Sequence, residues 1–73
     1  MPRLPVLSGA EAVKAFERAG WHRDRQRGSP VVLLKPKHLA SLSIPQHHEL
    51  SPGTLRALIR AAGMTVAEFV RLC

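Results

Sequence analysis

The 73-residue chain carries eleven Lys and Arg against five Asp and Glu, a net charge of +6, and this excess favours a polyanionic partner, the alternative being a solvated face that only keeps the protein soluble. A domain of this size buries only about 60% of the surface its unfolded chain exposes, which argues against a deep catalytic cavity and for a shallow groove or a sheet edge. Cys73 is the single cysteine, so an internal disulfide and a cysteine metal cluster are excluded.

Ser8-Gly9-Ala10-Glu11 has the spacing of a capping box, in which hydroxyl and carboxylate each satisfy an orphan amide at a helix start. A helix over residues 9–19 follows, with Ala12, Val13, Phe16 and Ala19 at helical spacing and Lys14 and Glu17 outward. Gly20 stands where a left-handed C-terminal residue is wanted. Residues 21–27 read as a strand in which Trp21, Arg23, Arg25 and Arg27 alternate with His22, Asp24 and Gln26. Neither set is apolar, so this is either an edge strand or one whose arginines lie along a bound partner.

Residues 31–35 and 40–44 are the clearest strands, joined by Pro36-Lys37-His38-Leu39 as a hairpin loop. Pairing residue 35 with 40 sets 33 opposite 42 and 31 opposite 44. That register puts Val31, Leu33, Ala40, Leu42 and Ile44 on one apolar face and Val32, Leu34, Ser41 and Ser43 on the other. It also sets residue 30 opposite residue 45, so Gly28-Ser29-Pro30 and Pro45-Gln46-His47 are expected on one edge.

Ser51-Pro52-Gly53-Thr54 reads as an N-cap serine followed by proline at the first helical position. Leu55, Leu58, Ile59 and Ala62 form the stripe to be buried; Arg56 and Arg60, four apart, share an outward face. Gly63 closes this helix, and Thr65-Val66-Ala67-Glu68 is a second capping box opening a short helix whose Phe69, Val70 and Leu72 fold back on the core. The expectation is an α+β protein with the α-β-β-β-α order of a double-stranded-RNA-binding-like fold, a three-stranded antiparallel sheet and a short C-terminal helix. It is read as a single domain over residues 1–73.

Residues 44–69, I-P-Q-H-H-E-L-S-P-G-T-L-R-A-L-I-R-A-A-G-M-T-V-A-E-F, closely resemble the carboxy-terminal half of the HicA family of mRNA-cleaving toxins. Arg25-Gln26-Arg27-Gly28-Ser29 resembles the same family's arginine-rich lead into a Gly-Ser-His active-site turn. The resemblance implies a metal-independent mRNA endoribonuclease that halts translation and is neutralised by a HicB-type antitoxin, with no cofactor. The family's catalytic histidine falls at position 30, where this chain has Pro30. An imidazole can exchange protons with ribose and phosphate oxygens near neutral pH; proline has no titratable proton and no backbone N–H. Cleavage by the family route is therefore expected to be severely reduced. A detoxified variant, a naturally silenced member, and catalysis by another residue such as His47 or His48 remain as explanations, with the first two favoured.

His47 is the supporting candidate, by holding phosphate or ordering the turn; the plainer role is a backbone hydrogen bond that fixes the strand-to-helix connection. Gly28 permits a positive-φ bend and close approach of a phosphate, Ser29 adds a hydroxyl donor, and an ordinary strand connection would suit both equally well. Arg23, Arg25 and Arg27 are expected as a ladder tracking phosphates, widened by Lys35, Lys37, Arg56 and Arg60, or as a dock for an acidic antitoxin. Trp21, Phe16 and Phe69 are assigned to the core, which leaves little for base stacking. His22 and His38 are read as solvated or capping, Cys73 as an inert terminus, and no histidine spacing suits zinc. No apolar run approaches the roughly 18 residues of a membrane span, and the short, proline-broken N-terminus argues against a signal peptide, so the cytoplasm is the expected location. A non-catalytic RNA-binding or antitoxin-binding module on the same fold is the alternative function; a structural domain whose charge only aids solubility is a weaker third.

Overall fold

The computed structural model describes residues 3–25 and 28–73. The elements run α1 (Gly9–Arg18), β1 (His22–Arg23), β2 (Val31–Leu34), β3 (Leu42–Ile44), α2 (Pro52–Ala61) and α3 (Val66–Val70). The strands form one antiparallel sheet in the order β1-β2-β3, and both long helices pack on β3. This is the expected α-β-β-β-α order with a short helix after it.

Each helix boundary follows from local chemistry. Ser8 and Glu11 close a full capping box on α1, and Thr65 and Glu68 do the same on α3. Ser51 caps α2 by accepting the Thr54 amide at 3.2 Å, ahead of Pro52. At the other end of α1, Gly20 adopts φ +96°, its amide donates to the Glu17 carbonyl at 3.0 Å, and the Trp21 amide donates to the Phe16 carbonyl at 3.1 Å. This six-to-one closure delivers Trp21 into the core. The same closure ends α2 at Gly63, φ +73°, with the Met64 amide on the Ile59 carbonyl at 3.1 Å.

Val31 pairs with Ile44 and Leu33 with Leu42, as the hairpin register requires. Leu33, Leu42 and Ile44 are buried against Val13, Phe16, Leu55, Ile59 and Phe69. Phe16 of α1 meets Phe69 of α3 with ring centroids 4.9 Å apart, so the last helix is part of the core. Trp21, Phe16 and Phe69 are all buried.

Three expectations about the strands are corrected. Of the strand anticipated over residues 21–27, of which 26 and 27 lie outside the described residues, the described part forms a strand at His22–Arg23. Trp21 is taken up by the helix exit, and after the Asp24 amide donates to the Val32 carbonyl at 2.8 Å, the Asp24 carboxylate accepts the Arg25 amide at 2.7 Å and bends the chain out of the ladder. With no apolar face of its own, the segment has nothing to hold it longer in the sheet. Lys35 lies just beyond β2, and β3 begins only at Leu42, so Ala40 is exposed rather than part of the buried face. The widened connection carries Lys37 at φ +65°.

The segment after β3 is clamped to the start of α1. The Gly9 amide donates to the His47 carbonyl at 2.9 Å, and the Leu50 amide donates to the Leu7 carbonyl at 2.7 Å. A Cβ on Gly9 would collide with the Pro45 carbonyl oxygen and lie 2.8 Å from Gln46 Cα. Gly53 in the first turn of α2 has nothing within 4 Å of that position. The two glycines should therefore respond to alanine with opposite sign. Gly53→Ala should raise unfolding free energy by about 0.4–1 kcal/mol, whereas Gly9→Ala should lower it by about 1–3 kcal/mol despite the better helix former, because backbone must move. Urea unfolding of the two variants checks this.

The capping boxes also set an acid response. Hydrogen bonds from the Ser8 backbone and side chain hold the Glu11 carboxyl below its ordinary 4.5, and Thr65 does the same for Glu68. A depressed carboxyl stabilises the fold above its unfolded value and loses that contribution as pH falls through the folded value. Melting temperature should accordingly decline below about pH 4.5. The decline should be shallower in a Ser8→Ala/Thr65→Ala variant followed over the same pH range.

Candidate nucleic-acid interface

The bend that follows β1 brings Gly28, Ser29 and Pro30 to the head of β2, all three exposed. Gly28 takes φ +110°, and no heavy atom lies within 4 Å of where its Cβ would be. The conformation, rather than crowding, calls for glycine here. The Ser29–Pro30 peptide is cis. Because Val31 pairs with Ile44, the chain preceding β2 and the chain following β3 leave the sheet at the same end.

On the β3 side, the Gln46 amide nitrogen donates to the Ile44 carbonyl at 3.0 Å, and the backbone then turns beneath α1. Ser8, Ala10, Gln46, His47 and His48 line a shallow depression of about 230 Å³. It is the His47 carbonyl, not its ring, that fixes this connection, through the Gly9 amide. The His47 and His48 side chains are exposed. Among the described residues, neither ring is hydrogen-bonded to the Gly28–Pro30 bend.

The structure does not gather the basic residues into one ladder. Arg23 pairs across from Leu33 and thus projects to the helix side of the sheet, where its guanidinium lies 3.6 Å from Glu17. Both side chains are substantially exposed, at 55% and 39%, so this pair contributes at most about 1 kcal/mol. Arg25 sits in the bend after β1 and is exposed, and Arg27 lies outside the described residues. Lys35 leaves the far end of β2, with its ammonium 6.0 Å from the Trp21 ring centroid. Lys37 occupies the β2–β3 turn, and Arg56 and Arg60 flank a separate depression on α2.

Residues that sequence reasoning passed over have definite roles. His38, expected as solvated or capping, stands edge-on to Trp21 at 4.9 Å with its Nδ1 3.3 Å from the Ala40 carbonyl, so it helps shape the β2–β3 turn. Arg18 donates to the Leu72 carbonyl at 2.7 Å and ties the C-terminus to α1. Neither the Trp21 contact of His38 nor the Leu72 contact of Arg18 has a local spacing signal, since those partners lie far along the chain. Cys73 donates to the Phe69 carbonyl at 3.5 Å, and partial burial pushes its thiol above the ordinary value, away from a reactive thiolate. Among the described residues, no group of three or more His, Cys, Asp or Glu is placed to hold a metal ion, and no helix is long and apolar enough to cross a membrane.

A three-stranded antiparallel sheet backed by two helices, with a glycine bend exposed at the head of its middle strand, defines a small basic α+β protein. The family model described as "HicA toxin of bacterial toxin-antitoxin" matches residues 9–64, from the first residue of α1 to the closure of α2. The chain belongs to the HicA toxin family. No curated protein and no solved structure matches it.

The Gly28 conformation is testable by itself. Gly28→Ala should destabilise the protein by about 1–3 kcal/mol, the cost of holding a side-chain-bearing residue in this sparsely populated region. Urea unfolding is the measurement, with Gly53→Ala as the opposite-signed control.

Proposed function

We propose that this protein is a HicA-type toxin that binds mRNA at the sheet end carrying Arg25, Gly28 and Ser29, is neutralised by a HicB-type antitoxin, and has lost its cleavage step at position 30. The observation that carries this reading is the placement of Pro30. It is exposed two residues after the positive-φ Gly28, at the head of the middle strand. A group there can meet a bound backbone without any cavity. A histidine in that place would exchange protons with ribose and phosphate oxygens near neutral pH, while proline offers neither a titratable group nor an N–H.

Arg25 supplies charge for the phosphates, Ser29 a hydroxyl donor, and the Cβ-free edge of Gly28 allows a phosphate to approach the backbone. Arg27 belongs to the same group by sequence. His47 supports the site from the β3 side of that sheet end. Membership of a toxin–antitoxin family supports an antitoxin partner, and the cytoplasm, where mRNA is translated, is the compartment this activity requires. The second reading, a non-catalytic RNA-binding or antitoxin-binding module, is favoured by Pro30 itself.

Comparing the protein with its Pro30→His variant on a purified transcript, in chelator and without added metal, separates these readings. Cleavage by the parent should be near background, and the histidine should raise the rate on the order of 100-fold or more. Rapid cleavage by the parent would place the chemistry elsewhere, with His47→Ala as the next variant. If neither protein cuts but both bind RNA with strong salt dependence, the module reading stands.

A further inference from the structure

The closures of α1 and α2 border a trough at the opposite end of β2 from Pro30. Ala19 after α1 and Ala62, Gly63 and Met64 after α2 line a depression of about 450 Å³ together with Lys35 and Arg71. Arg56, Ile59, Arg60, Met64 and Val66 line a neighbouring one of about 210 Å³. Met64 is a wall of both, so the two depressions adjoin at its side chain.

The floor is apolar, with Met64 and Val66 half-buried and accessible. The rim is cationic: Arg56, Arg60 and Arg71 are exposed and Lys35 is half-exposed. One carboxylate borders it, that of Glu68, and it already accepts the Thr65 amide at 2.9 Å. Among the described residues the single ion pair is Arg23–Glu17, so none of these four cationic heads is held in an ion pair there, although the Glu68 carboxyl, kept low chiefly by its Thr65 hydrogen bonds, also feels the charge of Arg71.

We propose that this trough docks an acidic amphipathic segment of a partner protein, with apolar side chains seated against Met64 and Val66 and carboxylates ranged along Arg56, Arg60 and Arg71. Charge complementarity selects the class of partner. The apolar floor separates it from nucleic acid, which would use the cations and leave Met64 and Val66 unmatched. The aromatic rings on which bases would stack are buried elsewhere. Arg56 and Arg60 stand one turn apart, a rise of about 6 Å, which matches carboxylates four residues apart on a helical ligand. The unbranched thioether of Met64 adapts to varied apolar side chains. The site is independent of position 30 and of the cleavage reading.

Fluorescence anisotropy on the full chain tests this with three labelled probes: a synthetic helical peptide with Leu on one face and Glu on the other, a polyglutamate peptide of equal charge, and a single-stranded oligoribonucleotide. The amphipathic peptide should bind at least about tenfold more tightly than polyglutamate. Arg56→Glu/Arg60→Glu should weaken it by about tenfold or more, and Met64→Gln by about threefold or more, with Arg25→Glu within about twofold of the parent. Amide shifts of the unmutated protein on adding the amphipathic peptide should centre on Met64 and Val66, which keeps the test valid if a variant fails to fold. Equal binding of polyglutamate, indifference to Met64→Gln, or shifts centred on Gly28 and Ser29 would overturn the proposal. So would an equal loss of oligoribonucleotide binding in the double arginine variant, which would give the surface to nucleic acid.

Discussion

The pairing of β2 with both its neighbours is the constraint on which the remaining geometry rests. The Asp24 amide donates to the Val32 carbonyl, so the polar backbone groups of Val32 point to β1 and those of Val31 and Leu33 point to β3. In that phase Leu33, Leu42 and Ile44 share the buried face, while Leu34 and Ser43 are turned to solvent. A slip of one residue between β2 and β3 would reverse the faces of one strand relative to the other and expose large apolar side chains. At roughly 1.5–3 kcal/mol for each large side chain returned to water, two such exposures rival much of the net stability of a small domain.

The same pairing divides the surface into regions with different chemistry. One sheet end carries the glycine bend and Pro30, beside the Pro45–His48 segment that the Gly9 amide holds beneath α1. The other carries Lys35 and the Trp21–His38 contact, bordered by the closures of both long helices. A net charge of +6 is thus distributed over several patches rather than concentrated in one binding face. A polyanion engaging one end need not engage the other.

Much of this was legible in the sequence because the informative signals are local or strictly periodic. Ser8 and Glu11, Thr65 and Glu68, and Pro52 after Ser51 announce helix starts through bonds that span three residues. Gly20 and Gly63 announce the ends because their positive φ is costly for other residues. The β2–β3 register followed from alternating apolar residues around one connection. The first strand is shorter than its spacing suggests because Trp21 and Arg23 alternate like a strand, while the groups that end it, the Phe16 carbonyl and the Asp24 carboxylate, compete for the backbone amides. The arginine ladder failed with it, since its spacing by two has meaning only while the chain stays extended. The clamp of Gly9 on His47 and the contact of His38 with Trp21 join distant elements, and no spacing along the chain encodes them.

The strand phase can be observed directly by NMR. In the arrangement described, Val32 and Ser43 form the non-hydrogen-bonded pair between β2 and β3, the geometry that brings opposing Cα atoms closest, at about 4.5 Å. A strong cross-peak between the Val32 and Ser43 Hα protons is the expected result. A strong peak from Val32 Hα to Leu42 or Ile44 Hα instead would mean a one-residue slip, and the placement of Pro30 beside the Pro45–His48 segment would fall with it.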